Sequence, residues 1–250
     1  MADWAAVSQQ IEDALELAKP PVSVRFANCV PAGIEPPASP VPAGCSFWEL
    51  GTSTSIATKA VHHRHCPIGV YTHNLANAPA TQPHELETAL SAMQGLDYVR
   101  LSEVEALPTM PTSSQYVLYG PLRDATQRPS LALLFARASQ GLIITEALSR
   151  VDGGFPIAMG RPACALIPQV INSARSAASL GCCGARGYLD TLSDDVALWG
   201  LHGDKLEAYA KEIVTLAKAN AVLTQFHQTR RVAIESGETP TVGESLQKLN

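Results

Sequence analysis

The stretch Cys182-Cys-Gly-Ala-Arg-Gly-Tyr188 has a counterpart earlier in the chain, Cys66-Pro-Ile-Gly-Val-Tyr71. Each also follows another cysteine at a similar distance: 20 residues lie between Cys45 and Cys66, and 17 between Cys164 and Cys182. The order strand, loop, Cys, helix, Cys is therefore read twice. This implies an α/β or α+β fold built as a duplicated unit about a pseudo-twofold axis, with half one at about residues 20–110 and half two at about 111–200. Such an axis would bring Cys45, Cys66, Cys164 and Cys182 to one point. Aligning the halves on Tyr71 and Tyr188 matches Cys66 with Cys183, so the second cysteine of the later pair stays open between Cys182 and Cys183.

Working outward, Asp3 is placed to cap a first helix with Trp4, Val7, Ile11 and Leu15 on one face, and Pro20-Pro21 ends it. Val22–Phe26 alternates as a strand. The prolines at 31, 36, 37, 40 and 42 impose a loop, and 45–60 reads as a helix rich in Ser and Thr. A helix is expected at 83–94 and a helical turn at 102–106. Strands are expected at 115–119 and 130–135, the second apolar throughout as for burial on both faces. Helices follow at 138–150 and 163–174. A long amphipathic helix spans 203–231, with Leu206, Tyr209, Ile213, Leu216, Leu223 and Phe226 on its apolar stripe. Residues 1–235 form one domain in this reading, and 236–250 form a flexible tail without visible period.

Of the 250 residues, 46% are hydrophobic and 16% charged, with a formal charge of -5, enough apolar material for a substantial core. The acidic balance argues against a nucleic-acid partner, whose phosphates call for a basic surface. No apolar run approaches the ~20 residues of a membrane span, and the N-terminus lacks the pattern of a secretory signal. A cytoplasmic location is expected. Thiols stay reduced there, and clustered cysteines serve metals more often than disulfides.

The segments Gly160-Arg-Pro-Ala-Cys164-Ala-Leu-Ile-Pro168, Ser179-Leu-Gly-Cys182-Cys-Gly184-Ala-Arg186-Gly-Tyr188 and Leu192-Ser-Asp-Asp195 resemble the signature of the domain of unknown function 169 family. Pro21-Val-Ser-Val-Arg-Phe26, Cys45 and Cys66-Pro-Ile-Gly69 fit that family's N-terminal half. The resemblance implies that Cys45, Cys66, Cys164 and Cys182 are the family-type positions, with Cys29 and Cys183 as extras.

Four thiolates are soft donors, suited to zinc or to a 4Fe-4S cluster. Structural zinc usually draws on close cysteine pairs, whereas these lie on separate elements, so the cluster is the favoured cofactor, with zinc or haem as alternatives. His65, beside Cys66, and His73 are candidate proton donors, and Arg186 is a candidate orienting group. The expected function is electron transfer or redox chemistry on a small molecule, with a redox partner protein and a homo-oligomer as possible associations. The competing readings are a tetrapyrrole or other small-molecule binding module, a structural zinc scaffold, and cysteines that merely pack in the core. A vicinal redox pair at Cys182-Cys183 is disfavoured by ring strain. The glycines around it match neither common phosphate-loop pattern.

Overall fold

The computed structural model describes residues 2–247. Seven strands form one sheet: β1 (Val22–Ala27), β2 (Ile56–Thr58), β3 (Tyr116–Pro121), β4 (Leu131–Arg137), β5 (Ile157–Met159), β6 (Ala177–Ser179) and β7 (Val196–His202). Their spatial order is β2-β3-β1-β4-β7-β6-β5. Every neighbouring pair is antiparallel except β5 with β6. The helices are α1 (Trp4–Leu15), α2 (Ser46–Leu50), α3 (Pro67–Thr72), α4 (Gln82–Gly95), α5 (Leu101–Glu105), α6 (Ala138–Asp152), α7 (Leu166–Ser173), α8 (Cys183–Tyr188), α9 (Leu206–Glu235) and α10 (Val242–Gln247).

Strand β4 shows how the sequence builds layers on both faces. Alternate side chains leave opposite sides of a strand. Leu131, Leu133 and Phe135 enter a core shared with α2, α7 and the four cysteines, while Ala132, Leu134 and Ala136 enter another with α1, α6 and α9. The fold is thus a mixed sheet between two helical layers, and the cysteines all belong to one of them. Gly200 in β7 lets α7 approach closely, because a Cβ there would lie 2.7 Å from Val170 and 3.2 Å from Leu166.

Helix α1 is capped by Asp3, whose carboxylate accepts from the Ala6 N–H at 3.0 Å. It stops at Leu15 in a left-handed Glu16, before the prolines are reached. The expected helix over 45–60 is instead the short α2, then β2, then a 3-10 turn at Ala60–His63. Thr52-Ser-Thr-Ser-Ile56 has poor helix propensity, and pairing with β3 outweighs it. Similarly, 163–174 divides into a 3-10 turn (Ala163–Ala165) and α7. Strands β5, β6 and β7 lie where no strand was expected. Along the predicted stripe of α9, Leu223 is exposed, whereas Phe226 is buried. The presumed tail contains α10, which returns against α9. Residues 248–250 lie outside the described residues.

A second polar centre holds the other layer together. The Asp152 side chain, fully buried at the end of α6, accepts from the Ser176 N–H at 2.7 Å and hydroxyl at 2.5 Å, Lys205 Nζ at 2.8 Å and the Tyr209 hydroxyl at 2.7 Å. Burial alone would raise its pKa, but Lys205 and the three neutral donors outweigh this and the net shift is downward.

Candidate metal centre

Each of the four cysteines sits at the entry to a helical segment. Cys45 leaves the proline-rich loop directly before α2, Cys66 precedes α3, Cys164 lies in the turn leading to α7, and Cys182 precedes α8. Cys45 and Cys164 are buried, Cys66 and Cys182 half-buried, and all pack against one apolar core that includes Phe47, Trp48 and Tyr119. Burial is the main cause of a Cys45 thiol pKa pushed up to about 12, with neighbouring Cys66 and Cys182 adding to it. Cys164 is raised well above the ordinary thiol value by burial, then by Cys66, with further contributions from Cys182 and Cys45. The four thiols therefore share one electrostatic environment although they come from distant parts of the chain. Cys183 is not in that group: it is exposed, with its sulfur 3.5 Å from the Tyr98 hydroxyl.

Backbone donors reach Cys66. Burial raises its pKa, but the backbone N–H groups of Gly44 and Gly69 oppose the rise. Both glycines are required by space. A Cβ on Gly44 would lie 2.6 Å from His63 Nδ1 and 3.5 Å from Cys66 Sγ, and one on Gly69 would lie 2.9 Å from Cys66 Sγ. Gly44→Ala is expected to cost about 1–3 kcal/mol through overpacking. Gly95→Ala, where nothing lies within 4 Å, should leave the thermal unfolding midpoint nearly unchanged. Equal effects of the two substitutions in thermal unfolding would contradict this account of the site.

Two buried polar atoms in the walls, Ser46 Oγ and His63 Nδ1, have no hydrogen-bond partner among the described residues, while the Trp48 indole faces the Tyr119 hydroxyl and the His73 ring faces the Cys164 backbone carbonyl. Leaving such groups buried and unpaired costs about 1–3 kcal/mol each. His63 stacks obliquely on Phe47 with centroids 4.8 Å apart and meets His73 edge-on at 6.2 Å. Burial holds both imidazoles neutral, His63 well below its usual pKa and His73 down to about 4. The Thr72 hydroxyl points at Cys164 Sγ, 3.5 Å away.

Of the other sequence candidates, His73 lies in this wall near the Cys164 backbone. His65 is exposed and accepts from Arg64 Nε at 3.1 Å. Arg186 is turned to backbone carbonyls, donating to Leu192 at 3.2 Å, Val196 at 3.3 Å, and to Ser193 and Leu180. Its fork of donors ties the Cys182 loop to the entry of β7, so its immediate contacts are structural. Tyr119, Thr72 and Gly44 were not singled out by the sequence, and His63 was seen only as part of the run His62-His-Arg-His65 beside Cys66, in which His65 was preferred.

The donor chemistry fits a thiophilic metal: four thiols, sulfur-directed backbone N–H groups, and buried polar atoms in the surrounding wall. Among the described residues, no three Cys, His, Asp or Glu side chains are grouped to hold a single metal ion. A lone tetrahedral zinc with bonds of about 2.3 Å requires its sulfurs nearly in contact, whereas an iron-sulfur cluster takes donors set further apart around several irons.

The sequence profile of the family described as DUF169, Uncharacterised ArCR, matches residues 10–212, and the chain belongs to that family. The match takes in all four cysteines of the site and ends within α9. No curated protein and no solved structure matches the chain. Among the described residues, no helix is long and apolar enough to cross a membrane.

Proposed function

We propose that this chain is an iron-sulfur protein in which Cys45, Cys66, Cys164 and Cys182 hold a 4Fe-4S cluster for electron transfer or redox chemistry on a small molecule. The observation that carries the reading is the packing of four thiols from sequence-distant elements against one apolar core, two of them buried and two half-buried. The unpartnered polar atoms around them support it. The strand order supports the duplicated unit as well: β2-β3-β1 on one side of the sheet centre answers β6-β7-β4 on the other, with a cysteine before each of α2, α3 and α8 and one just ahead of α7.

All six cysteines are free, which suits a reducing compartment such as the cytoplasm. An electron-carrying role calls for a redox partner protein. The far half of α9, with Val222, Leu223 and Val232 exposed, is where a homo-oligomer would form. The buried imidazoles of His63 and His73 favour one competing reading, a tetrapyrrole with an axial histidine.

The test is anaerobic purification followed by ultraviolet-visible spectroscopy with iron, sulfide and zinc analysis. Broad absorption near ~400 nm, with iron and sulfide in comparable amounts, is expected, and Cys66→Ser should lose more than half of the iron. A sharp Soret band would establish the tetrapyrrole instead. Stoichiometric zinc without iron, or a colourless metal-free protein, would overturn the proposal.

A further inference from the structure

The Thr58 hydroxyl has a single proton, and it donates this to the Val117 carbonyl at 3.1 Å. Its oxygen also lies 3.0 Å from His63 Nε2, which is the donor in that pair when the hydroxyl proton goes to Val117. In the neutral ring Nδ1 is then a bare lone pair. It is fully enclosed, with no hydrogen-bond partner among the described residues.

The position of Nδ1 is equally informative. A Cβ on Gly44 would meet Nδ1 at 2.6 Å and Cys66 Sγ at 3.5 Å, and one on Gly69 would meet the same two atoms at 3.9 and 2.9 Å, so the nitrogen and the sulfur are packed against the same two glycines. A lone pair cannot donate to sulfur. It can bind a metal, and a ligating histidine ordinarily fixes its ring by donating its other N–H to a neighbouring group, as Nε2 does here to Thr58. Imidazole replaces thiolate on iron in some iron-sulfur centres and raises their potential. His73 is held by backbone instead: its ring meets Phe26 edge-on at 5.7 Å and hydrogen-bonds toward the Cys164 carbonyl, and it is not among the atoms nearest the Gly44 and Gly69 positions that His63 Nδ1 and Cys66 Sγ share.

We propose that His63 Nδ1 is itself a donor to the centre, on an iron next to the one held by Cys66, so that the ligand set mixes sulfur with nitrogen. This rests on the iron-sulfur reading above and refines its donor set. Five donors then face four irons, and one thiol is left off the metal.

The experiment is pulsed electron paramagnetic resonance on the full chain carrying histidine labelled with nitrogen-15 in both ring positions. The protein is reconstituted anaerobically with ferrous iron and sulfide, assayed for bound iron, and reduced. One strongly coupled histidine nitrogen is expected in the parent protein, retained in His65→Gln and His73→Gln and absent from His63→Gln. The labelled parent and the two control variants decide the matter even where His63→Gln does not fold. A loaded cluster showing no directly bound nitrogen, or a coupling lost in His73→Gln, overturns this inference and leaves the iron-sulfur reading standing. Protein that takes up no iron overturns both.

Discussion

Asp152→Ala is expected to lower folding stability by about 3–5 kcal/mol, because it leaves the Lys205 ammonium and the Tyr209 hydroxyl facing an uncompensated buried position. For a chain of this length that corresponds to a midpoint lowered by roughly 10 °C or more. The carboxylate joins α6, the start of β6 and the entry to α9, so the damage extends beyond one helix end. Lys205→Met should also destabilise, since it leaves a fully buried carboxylate with neutral donors only.

The pH dependence follows from the depressed pKa. A carboxylate whose folded pKa lies below its unfolded value contributes stability that is fully present above the unfolded value and is lost as pH falls through the folded one. The stability gap between the parent and Asp152→Ala should therefore be constant near neutrality and shrink in acid, below about pH 4. Denaturant unfolding at several pH values checks this. A gap that widened in acid would show that the charge is not what stabilises this junction.

Gly203→Ala is the second large effect expected, about 3–4 kcal/mol, at the upper end of overpacking penalties. A Cβ at that position would overlap the Pro129 carbonyl oxygen and lie 2.9 Å from both the Pro129 carbonyl carbon and the Ser130 oxygen. These are backbone atoms at the entrance to β4, and the Gly203 N–H donates to the Ser130 carbonyl at 2.9 Å. No side-chain rotation relieves the clash. Either β4 or the start of α9 has to move, and each anchors a core. Gly160→Ala, where nothing lies within 4 Å, is the matched control for thermal unfolding. Similar midpoints for the two variants would refute the close approach.

Much of the helical layer was legible because its signals are local. Asp3 caps α1, apolar residues recur at helical spacing, and the unbroken apolar run of β4 marks a strand buried on both faces. Of the strands missed, β2, β5 and β6 are three residues each and depend on partners, whereas β7 was missed at seven residues. Ala177–Ser179 has no β-branched or aromatic residue to announce it, and β2 is three residues inside a Ser- and Thr-rich segment that reads equally well as helix. Their pairing is decided by β7 and β3, which no local pattern encodes.

The site divides in the same way. The sequence picked out the four cysteines by spacing and preferred Cys182 to Cys183 through the family resemblance. It favoured His65, because adjacency to Cys66 is visible in one dimension. The 3-10 turn at Ala60–His63 rotates His63 into the core and leaves His65 in solvent. Arg186 looked like a ligand-facing cation, yet four carbonyls claim its guanidinium.

The wide separation of the four thiols along the chain has a consequence for biosynthesis. Cys45 and Cys66 are made early, whereas Cys182 and the strand β7 that orders its loop come late. The first pair therefore has to remain reduced while more than a hundred further residues are synthesised. In the proposed iron-sulfur reading the donor set is complete only once Cys182 has been made, so the metal would be delivered to the finished chain rather than to the nascent one.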